Sequence, residues 1–241
     1  MDYFLTEQQK LIKGLARRIA EERILPVRAE LDEKEEFPWA IVKDMADSDL
    51  FIIFIPEQYE GLGEGLFALC IATEELSRAC CGVALTYATD ALGTIPILLY
   101  GTDEQKQKYL PIIAAGTKLT AFGLTESGAG SDASAIKTTA TPDGDDYILS
   151  GSKQFITNGG EAELYTIIAL TDPSRGIRGA SAFIVEKGMP GFTFGKKEQK
   201  MGIRASATRE LVFHNCRVPK DNLVGREGMG FIVTMNTLDV S

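Results

Sequence analysis

Hydrophobic and polar residues run along the chain in two rhythms, and the change comes near residue 118. Ahead of it the period is helical. Thr6-Glu7-Gln8-Gln9 has the form of a capping box, with Thr6 as N-cap and Gln9 reaching back, and Leu11, Ile12, Leu15 and Ile19 follow as one apolar stripe. Pro26 marks a break. Pro38, a good first-turn residue, predicts a second helix carrying Trp39, Ile41, Val42 and Met45. Residues 51–65 read as a loop ending in Gly61-Leu62-Gly63-Glu64-Gly65, without the GxGxxG spacing of a dinucleotide-binding turn. Residues 66–79 and 83–99 predict two helices, apolar around much of their circumference, as suits the inside of a bundle. Asp103-Glu104-Gln105 opens a shorter helix, with its acids where the macrodipole favours them, and Gly116 closes it.

Beyond residue 118 the segments shorten and become rich in Thr, Ile, Phe and Tyr. Strands are predicted at 119–124, 136–141, 147–150, 154–157, 165–171, 180–186, 192–194 and 210–213, with Asp143-Gly144 as a hairpin turn. Close spacing of short strands implies an antiparallel sandwich or barrel. From Gly228 the pattern is helical again, with Phe231, Ile232, Met235 and Leu238 on one side, and no Gly or Pro terminates it. The fold class is therefore α+β and multidomain: a helical bundle at 1–118, a β domain at 119–226, and at 227–241 the first helix of a further helical domain, so that Ser241 is expected to end a fragment. No internal repeat or low-complexity segment is present.

Composition adds limits. The 241 residues are 44% hydrophobic and 24% charged, with a formal net charge of -9, which gives no global attraction to nucleic acid or an anionic membrane. No apolar run approaches the roughly 18 residues of a membrane span, so none is expected. Met1-Asp2-Tyr3-Phe4-Leu5-Thr6-Glu7 lacks the marks of secretory and transit peptides, which predicts a cytoplasmic protein. Cys70, Cys80, Cys81 and Cys216 form no CxxC pair and are expected to be buried reduced thiols, and no metal site is expected around His214.

Two stretches carry candidate chemistry. In Phe122-Gly123-Leu124-Thr125-Glu126-Ser127-Gly128-Ala129-Gly130-Ser131-Asp132 a strand enters a loop of glycines and small side chains. Such a loop exposes backbone N–H groups to an anion, and Thr125 and Ser131 add hydroxyls. An ordinary Gly-Ser turn has the same composition, and the residues alone favour it. In Lys153-Gln154-Phe155-Ile156-Thr157-Asn158-Gly159-Gly160, strand alternation puts Phe155 and Thr157 on one face, a ring beside a hydroxyl that together suit a planar heterocycle. A core aromatic next to a β-forming Thr is the commoner explanation of that pair.

Together, and in this order, the stretches resemble the acyl-CoA dehydrogenases. Residues 125–132 resemble that family's signature and Phe155-Ile156-Thr157-Asn158 its Trp-Ile-Thr-Asn motif, while Pro56-Glu57-Gln58-Tyr59-Glu60-Gly61-Leu62-Gly63 and Lys200-Met201-Gly202-Ile203-Arg204-Ala205-Ser206 match further stretches. The likeness is nearest to the bacterial short-chain, butyryl-CoA-type members. It implies a helical domain, a middle β domain and a C-terminal four-helix domain, with FAD at their junction. It further implies FAD contacts from Phe122, Gly123, Leu124, Thr125, Gly130, Ser131, Phe155, Ile156 and Thr157. Thr157 would donate to flavin N5, and Ser131 and Asp239 would meet the CoA portion of the substrate.

The implied reaction is α,β-dehydrogenation of an acyl-CoA, with an electron-transfer flavoprotein as partner and a homotetrameric assembly. The base, a glutamate, would belong to the C-terminal domain, so no catalytic residue is expected here, and Glu126 and Asp132 are read as loop-organising. The 241 residues alone are therefore expected to be inactive. Phe155 departs from the family's Trp and loses an indole N–H. Residues 79–95 hold no Lys or Arg, which disfavours a dicarboxyl substrate, and Tyr87 suggests a shallow pocket for a short chain. An acyl-CoA oxidase and a non-catalytic flavin or acyl-CoA binding module are the alternatives. Ser134-x-x-Lys137 and Ser150-x-x-Lys153 fit a hydrolase SxxK pattern without opening a predicted helix.

Overall fold

The computed structural model describes residues 4–241, and Met1, Asp2 and Tyr3 of the N-terminal stretch lie outside them. Helix α1 (Glu7–Ile19) begins with both capping-box bonds made, and continues through a π-helical turn, Ala20–Ile24. Helices α2 (Arg28–Lys34), α3 (Trp39–Asp47), α4 (Gly65–Ala79), α5 (Cys81–Tyr100) and α6 (Asp103–Ala114) complete the first half. The second half is a sheet of β1 (Thr120–Gly123), β2 (Thr139–Asp143), β3 (Asp146–Thr157), β4 (Leu164–Leu170), β5 (Ala180–Glu186), β6 (Phe192–Lys197), β7 (Thr208–Pro219) and β8 (Leu223–Val224). Helix α7 (Gly230–Val240) follows.

The strands run in the order β6-β7-β3-β2-β4-β5-β8, with β1 paired to β4 beside that path. The sheet is mostly antiparallel, as expected, with two parallel pairings. β1 runs parallel to β4, from Thr120 opposite Leu164 to Gly123 opposite Ile167, and β2 meets β4 in parallel at Thr139 and Leu170. Composition signals a strand but not its direction, and β1 reaches β4 only after the β2–β3 hairpin, a connection long enough for parallel pairing. Two predicted strands, 147–150 and 154–157, are one: β3 passes through Gly151, at φ 141°, and a bulge at Phe155 without leaving its partner β7.

Helix α5 is the joint between the halves. Val83, Ala84, Tyr87, Ala91 and Ile97 are buried in the core it shares with the rest of the protein. A Cβ on Gly93 would come 2.8 Å from the Ala121 nitrogen, so glycine lets helix and strand β1 close up. The expectation of no span-length apolar segment also needs correction, since α5 is 20 residues long and apolar enough to cross a membrane. Thr86, Thr89, Asp90 and Thr94 break its apolar run in the sequence, and 72% of its apolar window is buried inside the protein, as in a core helix. Helix α7 buries Gly230, Val233, Thr234 and Thr237, leaving Ile232 and Leu238 exposed, so the apolar side read from sequence faces outward.

Candidate functional site

Strand β1 delivers the candidate loop from the core. Phe122 and Gly123 are buried, and a Cβ on Gly123 would meet Ile167 Cδ1 at 2.5 Å, so this glycine answers to packing. After Thr125 the chain folds into a tight turn in which Glu126 and Ala129 exchange backbone hydrogen bonds of 3.1 and 3.0 Å. Ser127 and Gly128 form its exposed tip. No acceptor among the described residues takes the N–H of Thr125, Ser127, Gly128, Gly130 or Ser131. Gly128 and Gly130 have nothing within 4 Å of an added Cβ and no positive φ, so nothing inside the protein demands glycine there. The loop therefore offers unpaired donors and open main chain, which suits an anionic or polar ligand.

The Glu126 carboxylate turns inward, accepting from Lys153 Nζ at 2.7 Å and from the N–H groups of Lys137 and Thr138 at 2.6 and 3.0 Å. Burial pushes its pKa up, but the Lys153 charge and these hydrogen bonds outweigh burial and hold it below the ordinary value. Asp132 caps the next turn through the Ser134 N–H at 3.1 Å and its hydroxyl. Both acids organise the loop.

The second stretch touches the first, since Gln154 N–H donates to the Thr125 carbonyl at 2.8 Å. At the bulge Phe155 has φ 58° and is 58% exposed, while Thr157 is half-buried and Lys153 and Ile156 point into the core. The bulge resets the alternation: Lys153 points inward, and the extra residue turns Phe155 and Thr157 to the accessible side. Ile156, Phe122 and Gly123 can reach a ligand only through backbone. Leu124, Thr125, Gly130, Ser131, Phe155 and Thr157 keep accessible surface. Asp239 is exposed in the last turn of α7 and makes no hydrogen bond to the loop.

Sequence reasoning missed Asn158. It is buried at φ 60°, and its amide donates to Thr86 O and Thr120 O at 3.0 and 3.2 Å, fastening the end of β3 to α5 and β1. An Asn ahead of Gly-Gly, tolerant of left-handed backbone, was the available signal. Two other readings change. Cys70 and Cys81 are exposed and Cys80 half-buried, leaving only Cys216 buried, where desolvation raises its thiol to about 11. Cys80 and Cys81 sit at the α4–α5 corner, and Cys70 lies in the first half of α4. Tyr87 is a core residue, donating to Leu50 O at 2.8 Å with its ring edge-on to Phe51, so it carries no argument about chain length. The hydrolase pattern fails as well: Ser150 Oγ lies 3.2 Å from Asn215 Oδ1, and Lys153 is bound to Glu126.

Residues 6–117 match the acyl-CoA dehydrogenase N-terminal domain and residues 121–216 the acyl-CoA dehydrogenase middle domain. The chain belongs to the acyl-CoA dehydrogenase family. A short-chain specific acyl-CoA dehydrogenase of Clostridium acetobutylicum is 47% identical over 99% of this chain and 63% of its own. The structure of butyryl-CoA dehydrogenase from Megasphaera elsdenii superposes with a TM-score of 0.95 at 43% identity, covering 99% of this chain and 64% of that one. An acyl-CoA dehydrogenase from Bacillus anthracis, complexed with FAD, gives 0.91 at 37% identity, over 98% of this chain and 40% of that one. Family members bind FAD. The chain spans about three-fifths of the length of the curated acyl-CoA dehydrogenases it matches.

Proposed function

We propose that these residues form the flavin-binding part of an enzyme that converts a short-chain acyl-CoA to its trans-2-enoyl-CoA, with FAD as cofactor and an electron-transfer flavoprotein as acceptor. The observation that carries the reading is the direct joining of the open loop at 124–131 to the rim bearing Phe155 and Thr157, through Gln154 N–H and Thr125 O. Unpaired N–H groups, hydroxyls, an exposed ring and a further hydroxyl are thereby carried on two joined segments, a set that fits a ligand with a polar chain and a flat head. The short-chain assignment is supported by the names of the relatives.

Bound flavin supplies a two-electron acceptor. The protein's residues have separate tasks around it. Thr125, Ser131 and the free N–H groups between them would hold its polar parts, Leu124 would pack beside them, and the Phe155 ring would lie against the heterocycle. Thr157 would donate to a ring nitrogen. Ser131 and Asp239 are assigned to the CoA portion of the substrate.

The α-proton of a thioester is too weakly acidic for an unaided carboxylate, so the reaction needs donors at the thioester carbonyl and a desolvated base with a raised pKa. Glu126 and Asp132 are engaged within the loop, and the base is assigned to a glutamate outside these 241 residues, in a further helical domain. The complete protein is read as a cytoplasmic homotetramer. Anaerobic titration with butyryl-CoA of the protein expressed from its uninterrupted gene tests the proposal. Bleaching of the flavin band is expected. A flavin that shifts without bleaching would refute the chemistry, and purified protein that binds no flavin would refute the site.

A further inference from the structure

Lys153 is fully buried, where a charged side chain is rare without a partner. Its stem passes under strand β1, so that a Cβ on Gly123 would come 3.5 Å from Lys153 Cγ. Its ammonium donates to Leu124 O at 3.1 Å and to Glu126 Oε1 at 2.7 Å. Glu126 carries the restraint onward to the N–H groups of Lys137 and Thr138. One amine thus ties together the exit of β1, the turn at 126–129 and the approach to β2, and does so from β3. Phe155 and Thr157 stand further along that same strand on its accessible side. Burial lowers the amine's pKa to about 8 against the opposing pull of Glu126, which leaves it charged at neutral pH. Buried ion pairs are often no more stabilising than apolar side chains of equal volume. The geometry the pair imposes is then the better account of its presence.

We propose that Lys153 is a positioning residue for cofactor binding, setting the loop at 124–131 against Phe155 and Thr157 before any ligand arrives. The inference rests on the flavin reading above. Lys153 is inaccessible and touches no ligand. It acts through Leu124 and Glu126, since a loop already held in its bound shape loses less entropy on binding.

The test compares Lys153→Met, Glu126→Gln and the double variant, each in the protein expressed from its uninterrupted gene, with FAD as the probe. Hydrogen exchange is measured without FAD, and FAD affinity by fluorescence titration. Lys153→Met is expected to speed exchange across 124–138 while leaving α1 and α4 unchanged, and to weaken FAD binding by about tenfold or more. The double variant should bind FAD no more weakly than Lys153→Met, because both substitutions break one contact. Additive losses, or exchange raised throughout the protein, mean that Lys153 serves only the fold, and overturn the proposal. Should Lys153→Met fail to fold, Glu126→Gln carries the same expectation, and unchanged exchange with unchanged affinity overturns it. Unsubstituted protein that binds no FAD sinks the flavin reading and this proposal together, whereas FAD binding indifferent to every variant sinks this proposal alone.

Discussion

Two glycine-bearing loops of similar composition are put to opposite uses. In the loop at 61–65, the N–H groups of Gly61, Leu62, Gly63 and Glu64 donate to Pro56 O, Ile52 O, Ile55 O and Ile53 O. A Cβ on Gly61 would overlap the Ile55 carbonyl, and Gly63 and Gly65 have φ of 70° and 73°. Every one of these glycines has an internal reason. In the loop at 124–131, Gly128 and Gly130 have none, and the N–H groups of Thr125, Ser127, Gly128, Gly130 and Ser131 have no acceptor among the described residues. Glycine content therefore does not mark a binding loop. Unpaired donors beside glycines that the fold does not need are the informative feature.

Substitutions can break this contrast. Gly61→Ala carries the largest expected effect: the new methyl must displace the Ile55 backbone, lowering unfolding free energy by about 3 kcal/mol, read in a urea titration. Loss of less than about 1 kcal/mol would mean that the loop yields more readily than its hydrogen bonds suggest.

Unpaired groups in the core sharpen the contrast, because there burial raises the affinity of a carboxyl for its proton instead of leaving donors open to a ligand. Asp90 Oδ2 and Asn158 Oδ1 are buried without partners, and both residues bond to Thr120. Burial pushes the Asp90 carboxyl up to about 8, against hydrogen bonds from Thr120. The folded state then keeps a proton that the unfolded chain releases near pH 4, so the stability Asp90 contributes is full below that pH. It is lost progressively as pH rises from about 4 to about 8, and amounts to a few kcal/mol. Asp90→Asn retains an acceptor for Thr120 N–H and should flatten this slope. An unchanged slope in melts between pH 5 and 9 would show that Asp90 is ionised in the fold. Gly130→Ala carries the smallest effect on stability, within about 0.5 kcal/mol, while weakening FAD about tenfold. Equal FAD binding would remove Gly130 from the site.

Much of the fold was legible because it rests on local chemistry. Thr6 and Gln9 announce the start of α1, and Asp143-Gly144 the β2–β3 turn, since each feature is decided within a few residues. Strand β3 was not legible as one element: Gly151 looks like a terminator, and the Phe155 bulge resets the period of two. The site was legible as composition only. Ser131 and Thr157 could be named from their stretches, but Lys153 in an alternating strand reads as a surface position until Glu126, far along the chain, is found beneath it. Long-range pairing of charges leaves no periodic trace.

Hydrogen exchange of the protein from its uninterrupted gene, with and without FAD, tests the central claim most directly. FAD is expected to slow exchange at 124–131 and 154–158 and to leave 61–64, whose N–H groups are already bonded, unchanged. Protection confined to other segments, with 124–131 exchanging at the same rate in both states, would contradict the assignment of that loop to the flavin.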